Sequence, residues 1–498
     1  MQTNDERTTQ LKGGNDISRL KNWYAQAGTP TLKCTPTYDA AAQTFSLALE
    51  QVLPKTPDTG GDSEKVAQLI PVAVGLIGPD GKDLAIDAAD VAVSDEVGGD
   101  GSIATAAEPG TVVLRLNAMK ATFTFKGVAS EPVPSILRGF SAPVKLEMTP
   151  PVSTDNLLFT LANDSDPFNR WEAAQVLSRG IMTRVIKAMG AVAAEPGADV
   201  AGAVKADDAW ERFVAACRGI IADATANAVD RAWVEEALSF PGTASLVQEL
   251  APIDPMAVYS VVKGFGQEFA RSCESELKAA YDTCKAEAAG LAYEVNEEQT
   301  ARRSLAAYAL RSLGVIGHGG AEAAEIAAAA KDAANMTETV AALGALSRHP
   351  TAVAPRETAF DAFLTKWKDD NNVICTYLSL VAGMTNVPSP LENVKAVMAS
   401  DVYSMKVPNK FYALVGGFAR ANTPGFHAKD GSGYVFLADC LLEMDKMNAI
   451  AASRIAKPFT EWRLYDPARQ ELMKAQLQRI LDAKPSPNLY EICTKSLA

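Results

Sequence analysis

The 498-residue chain carries 47 Lys and Arg against 60 Asp and Glu, a formal charge of −13, with 48% hydrophobic and 21% charged residues. That is an ordinary globular composition with room for about two to four domains, and its acidity speaks against a general binder of phosphate backbones, which needs a basic face. Seven scattered cysteines without a C-x-x-C spacing read as free thiols of a reducing compartment.

The polar first residues, 1–15, read as a frayed tail with no signal-peptide core. Then "DISRLKNWYAQAG" places Ile17, Leu20, Trp23 and Tyr24 at helical spacing, with Asp16 as N-cap and Gly28 as stop. From Thr29 the period becomes two. "TFSLALEQV" alternates Phe45, Leu47 and Leu49 with small polar neighbours. "LIPVAVGLIGPDGKDLAI" predicts a strand, a Pro-Asp-Gly turn and a second strand, and "TVVLRL", "ATFTFKGV" and "PVKLEM" add further strands. Short strands separated by turns predict an antiparallel β-sandwich over 29–150. The acidic "SDEVGGDGS" at 94–102 reads as a surface loop.

After Pro151 the pattern is helical. Trp171, Ala174, Leu177, Ile181 and Val185 form one stripe. Amphipathic segments follow near 208–220, 228–239, 254–286, 298–316, 337–347, 356–368, 371–383, 409–420, 433–447, 450–482 and 487–497, with "GHGG" and "NVPSP" as loops. Such helices bury their stripes by stacking, so the fold class is a β-sandwich followed by a large all-α, solenoid-like array over 151–498. No run of ~18 apolar residues is long enough to span a membrane.

One stretch invites a catalytic reading. "GFHAKDGSGYVFL" holds His427, Asp430 and Ser432, the residue types of a hydrolase triad, but sequence neighbours do not converge as a triad must. Asp430 also stands where a nucleophile elbow needs glycine. The stretch fits a turn capped by Ser432 that opens a helix with Tyr434, Leu437, Leu441 and Met444 on its buried face. The three histidines, 318, 349 and 427, lack metal-ligand spacing, and no phosphate-binding glycine motif occurs. "EWRLYDPARQ" reads as a helix junction.

In sum these segments resemble the C-terminal portion of the bacterial-type aminopeptidase N group of the M1 zinc metallopeptidase family. "WYAQAGTP" is similar to that family's junction between catalytic domain and sandwich, and "PVPSILRGFSAPVKLE" to the sandwich's close. "NDSDPFNRWEAAQ" resembles the first helix of the cap. "NMTETVAAL", "FHAKDGSGYVFL" and "RLYDPARQ" resemble later landmarks. The resemblance implies that residues 1–28 end in a remnant last helix of the catalytic domain, and that 151–498 is a cap over a catalytic half. The zinc-binding H-E-x-x-H and the G-x-M-E-N segment are missing from this chain. No catalytic residue, metal ligand or cofactor is therefore assigned, and the chain alone is expected to be inactive; zinc belongs to the full-length family. Arg454 matches an arginine that meets peptide substrates, whereas Ile450 and Tyr412 replace a common glutamine and arginine. The expected partners are a catalytic aminopeptidase half or a peptide. The alternative is a truncated homologue reused as a scaffold among protein subunits of a larger assembly. No nucleic-acid partner is expected. An intracellular setting is expected, the cytoplasm before any organelle.

Overall fold

A computed structural model describes residues 10–11, 15–16, 18–56, 65–99 and 102–498. The chain divides into two compact units, residues 1–177 and 178–498. Most of the tail read as frayed lies outside the described residues, as do Asp100 and Gly101 of the acidic loop.

In the first unit nine of the described strands form the two sheets of a sandwich. They are β1 (Thr31–Asp39), β2 (Thr44–Val52), β3 (Ile70–Ile77), β4 (Val91–Val97), β5 (Ile103–Ala106), β6 (Val112–Leu116), β7 (Lys120–Lys126), β8 (Val133–Ile136) and β9 (Lys145–Met148). One sheet runs β9-β1-β2-β7-β4 and the other β8-β3-β6-β5. The alternation read in "TFSLALEQV" sets Phe45, Leu47 and Leu49 against Phe123 and Phe125 of β7 and against Val112, Leu114 and Leu116 of β6. Pairing is antiparallel except at one edge, where β9 runs parallel to β1 from Lys145 opposite Thr31. The expected strand after the Pro-Asp-Gly turn is a single bridge, Ile77 to Asp83. The start of the acidic loop, Ser94–Val97, instead completes β4 around a register shift.

Asp16, expected as an N-cap, pairs with Gln10 in extended form. Helix is confined to a 3-10 turn at Ser18–Lys21 and the short turn Asn22–Ala25. Tertiary bonds hold this segment: Trp23 Nε1 donates to the Leu69 carbonyl at 2.8 Å, and Gln26 both donates to and accepts from the backbone of Val66.

The sandwich ends in a buried ionic knot. Gly75 leaves β3 without a side chain where the Arg138 guanidinium lies across it; a Cβ there would fall 2.0 Å from Arg138 Cζ. Arg138 grips Asp83 with both terminal nitrogens, 2.9 and 2.7 Å, and reaches Asp164 at 2.9 Å. Burial raises Asp83, but hydrogen bonds from Arg138 and Ser165 outweigh it and hold this carboxyl below the usual range. Asp164 and Asp166 precede the second of two helices, α1 (Thr154–Asn163) and α2 (Pro167–Met189), and Asp166 accepts from the Asn169 amide at 2.8 Å. The landmarks "PSILRGF" and "NDSDPFNRW" therefore carry the two halves of one latch.

The second unit stacks helices. Among them are α3 (Trp210–Thr225), α4 (Arg231–Ala237), α5 (Pro255–Ser272), α6 (Glu274–Ala288), α7 (Glu297–Leu313), α8 (Gly320–Asp332), α9 (Met336–Arg348), α10 (Val353–Trp367), α11 (Asn371–Ala382), α12 (Pro390–Met398), α13 (Ser432–Met447), α14 (Ala449–Ile455), α15 (Pro467–Asp482) and α16 (Pro487–Leu497). Helices α5, α7, α9 and α11 pack in succession, while α6, α8 and α10 back them, as a two-layer array requires. The single helix expected at 254–286 breaks at Cys273, whose ψ of 17° leaves the helical range. The one expected at 450–482 is cut where Pro458 and Pro467 open new helices, since proline has no N–H to continue the ladder. The Ala-rich α8 and the short α12 were not among the expected helices.

Candidate functional site

The stretch 425–437 is a turn and a helix start. His427 is buried and its Nδ1 meets the Tyr434 hydroxyl at 2.8 Å. Asp430 does not face it; its Oδ1 accepts from the Ser432 backbone N–H at 2.9 Å. The cap differs in detail from the expected one. Gly431, at φ +72°, takes the N-cap position and Ser432 is the first helical residue, so the acceptor is Asp430. Tyr434, Leu437, Leu441 and Met444 are buried as the stripe requires. Burial, and then the neighbouring Arg469 charge, push His427 down to about 3, which leaves a neutral ring.

The histidines also stay apart chemically. His318 Nε2 meets Glu274 Oε1 at 2.8 Å, and His349 Nε2 lies 3.4 Å from Glu322 Oε2. Among the described residues, no three His, Cys, Asp or Glu side chains converge as a metal-binding group. The described residues do not fit a zinc site. All seven cysteines are free, and burial pushes Cys34, Cys273 and Cys440 up to about 12.

Arg454 lies on α14, exposed, and has no hydrogen bond or ion pair to any described residue. Ile450, one turn earlier, is 57% exposed, so the helix offers solvent an aliphatic side chain and a free guanidinium on one side. Tyr412 sits half-buried in a π turn, Tyr412–Gly416, on another element.

The array holds an open cavity of about 820 Å³. One face of α5 lines it with Tyr259, Lys263 and Gln267; α7 adds Arg311, α9 adds Arg348, and the chain after α11 adds Thr385 and Asn386. Glu235 is the one carboxylate of this lining, and it is taken by Arg311 and by Ser304 at 2.7 Å. Asn386 organises the opposite wall: its Oδ1 accepts from Lys263 Nζ at 2.9 Å, its Nδ2 donates to the Arg348 carbonyl, and its own carbonyl accepts from buried Arg356 at 3.1 Å. The Arg348 guanidinium has no partner among the described residues. It opens onto the cavity yet is hemmed in by protein, so burial and then neighbouring Arg311 hold it below the usual arginine range. Burial likewise lowers Lys263. None of these cations was singled out in the sequence. They come from three helices, and a local spacing marks the α5 wall, where Tyr259, Lys263 and Gln267 follow at intervals of four.

A sandwich of two sheets followed by a helical array that holds a cleft defines the class, a β-sandwich module joined to an α-helical repeat module. Residues 28–149 match a family model described as a domain of unknown function (DUF3458) with an Ig-like fold, and 154–498 match its C-terminal companion with ARM repeats. The chain belongs to this DUF3458 family. It is 30% identical over 489 residues to aminopeptidase N of Escherichia coli strain K12 and 30% identical over 497 residues to aminopeptidase N of Caulobacter vibrioides. It is 27% identical over 486 residues to aminopeptidase N of Haemophilus influenzae. Each similarity covers 97% of this chain and 50% of the relative, so the chain spans about half the length of the curated relatives it matches, a C-terminal part. The crystal structure of Legionella pneumophila aminopeptidase A in complex with aspartic acid shares the fold, with a TM-score of 0.72 at 22% identity over 97% of this chain and 50% of that one. Among the described residues no helix is long and apolar enough to cross a membrane.

Proposed function

We propose that this chain caps a zinc-dependent aminopeptidase half carried outside these residues, and restricts which peptides reach it. The observation that carries this reading is the similarity to aminopeptidase N along 97% of the chain but only 50% of the relatives. The division we propose is a tail and short helix over 1–28, a sandwich over 29–150 and a cap over 151–498. Tyr24, 92% exposed in the segment that precedes the sandwich, and Val66, 54% exposed and bonded through its backbone to Gln26 of that segment, supply apolar surface for docking. Arg454 is the residue proposed to meet the peptide, because a permanently charged, unpaired guanidinium suits a carboxylate. Seven free thiols support an intracellular, reducing setting.

The test is capture of the tagged chain from its native cell, with the bound polypeptides sequenced and assayed. Recovery of an H-E-x-x-H polypeptide together with zinc-dependent amino-acid release is the expected result. In that assembly Arg454→Ala should raise KM for peptides while leaving the complex intact. A stable complex without peptidase activity would replace this reading with that of an interaction scaffold.

A further inference from the structure

We propose that the cavity of the helical array binds a short peptide by its free carboxylate, with Arg348 as the anion-holding group and Lys263 and Arg311 beside it. The choice of a peptide rests on the capping reading above; the carboxylate site rests on the cavity alone.

Three observations carry it. First, charge: the lining sets three cations against the single carboxylate of Glu235, in a chain whose formal charge is −13. Glu235 already serves Arg311 and Ser304, so Lys263 and Arg348 face the cavity without a counter-charge. The Arg348 guanidinium is exposed toward the cavity and bound to no described residue, so an entering carboxylate finds its donors free. Second, preorganisation: the Asn386 side chain holds the Lys263 ammonium and anchors the Arg348 main chain, so one charge and the base of the other are positioned before any ligand arrives. Third, size and wall chemistry. The volume lies within the range of about 300–1,000 Å³ of small-ligand sites. Phe240, Val262 and Leu380 provide apolar wall, while Gln267, Ser312 and Thr385 provide hydrogen-bonding groups. An inorganic anion would leave that apolar wall unused, whereas a peptide of a few residues covers it. Gly266 and Gly344 keep the space open: a Cβ at Gly266 meets nothing within 4 Å, and one at Gly344 meets only Arg311 Cδ at 3.8 Å.

The experiment is isothermal titration of the 498-residue chain with acetyl-trialanine as the free acid, as its C-terminal amide, and with inorganic phosphate. The expected result is binding of the acid about tenfold or more tighter than the amide, the discrimination a charge-assisted hydrogen bond provides. Arg348→Gln should erase most of that difference. Gly266→Leu should abolish binding without lowering the unfolding midpoint, because the new side chain enters open space and leucine favours helix over glycine. Equal binding of acid and amide, an unchanged affinity in Arg348→Gln, or binding of phosphate but not of the peptide acid would each overturn the proposal, as would no binding at all. Acid-over-amide discrimination in a chain that captures no peptidase would sink the capping reading and keep the site.

Discussion

Arg469 Nε donates to the carbonyl of His427 at 3.0 Å, across 42 residues of sequence, while its Nη1 lies 2.6 Å from Asp466 and 2.9 Å from Asp254. One guanidinium thus ties the turn before α13, the entry to α15 and the cap of α5, where Asp254 accepts from Met256. Ile253 completes the junction by donating its N–H to the Leu464 carbonyl at 3.0 Å. Removing the cation from such a network leaves two carboxylates without their counter-charge and the His427 carbonyl without its donor. Arg469→Met should therefore cost about 3 kcal/mol, the low end for a broken buried pair, because both aspartates keep some access to water. Urea unfolding of the full chain measures it.

The same junction predicts a pH dependence. His427 titrates at about 3 when folded, against 6.5 ordinarily, through burial and then Arg469. Between those values the unfolded chain binds the proton that the folded chain refuses, so stability falls as pH drops below 6.5 and this contribution levels near 3. The slope from this one group reaches at most about 1.4 kcal/mol per pH unit. Unfolding midpoints between pH 6.5 and 5 should fall for the wild type and fall less for His427→Gln.

The glycines of "DGSGY" carry the structural weight that a catalytic reading would place on the serine. A Cβ on Gly433 would lie 2.4 Å from the Phe426 carbonyl oxygen and 2.6 Å from that of Gly425, backbone atoms that cannot step aside. Gly433→Ala should cost about 1–3 kcal/mol by overpacking. Ser432→Ala should cost under about 1 kcal/mol, since the capping acceptor is Asp430. Thermal unfolding of the two variants side by side gives the ranking, and a larger loss for the serine would reverse the assignment.

What the sequence revealed follows from how local each determinant is. The period-two pattern of β2 and the stripe of α13 are read correctly because single-face burial imprints itself within a few residues. Alternation fails at β3, where all but Pro71 are buried and the strand reads as a plain apolar run. Helix breaks were missed at Cys273, where nothing local marks the change, and at Pro458 and Pro467, where proline did mark it. The motif landmarks were legible as a resemblance, but their reason lies in tertiary partners such as Arg469 with His427. The cavity was invisible for the same cause: Lys263, Arg311 and Arg348 meet only once three helices stack.

The latch of the first unit gives the last prediction. Arg138 uses a planar fork on Asp83, a third contact to Asp164 and its Nε to Ser135 Oγ at 2.8 Å, a geometry an ammonium cannot copy. Arg138→Lys should therefore destabilise by about 2–3 kcal/mol although the charge is kept. Gly75→Ala should do at least as much harm, because its methyl group would occupy the space of the guanidinium itself. The two losses share one cause, so the double variant should fall well short of their sum. Hydrogen exchange at Val72–Val74 and Val112–Leu114 would report this in the sandwich core. Full additivity there would mean that Gly75 and Arg138 act separately, contrary to the packing of one against the other.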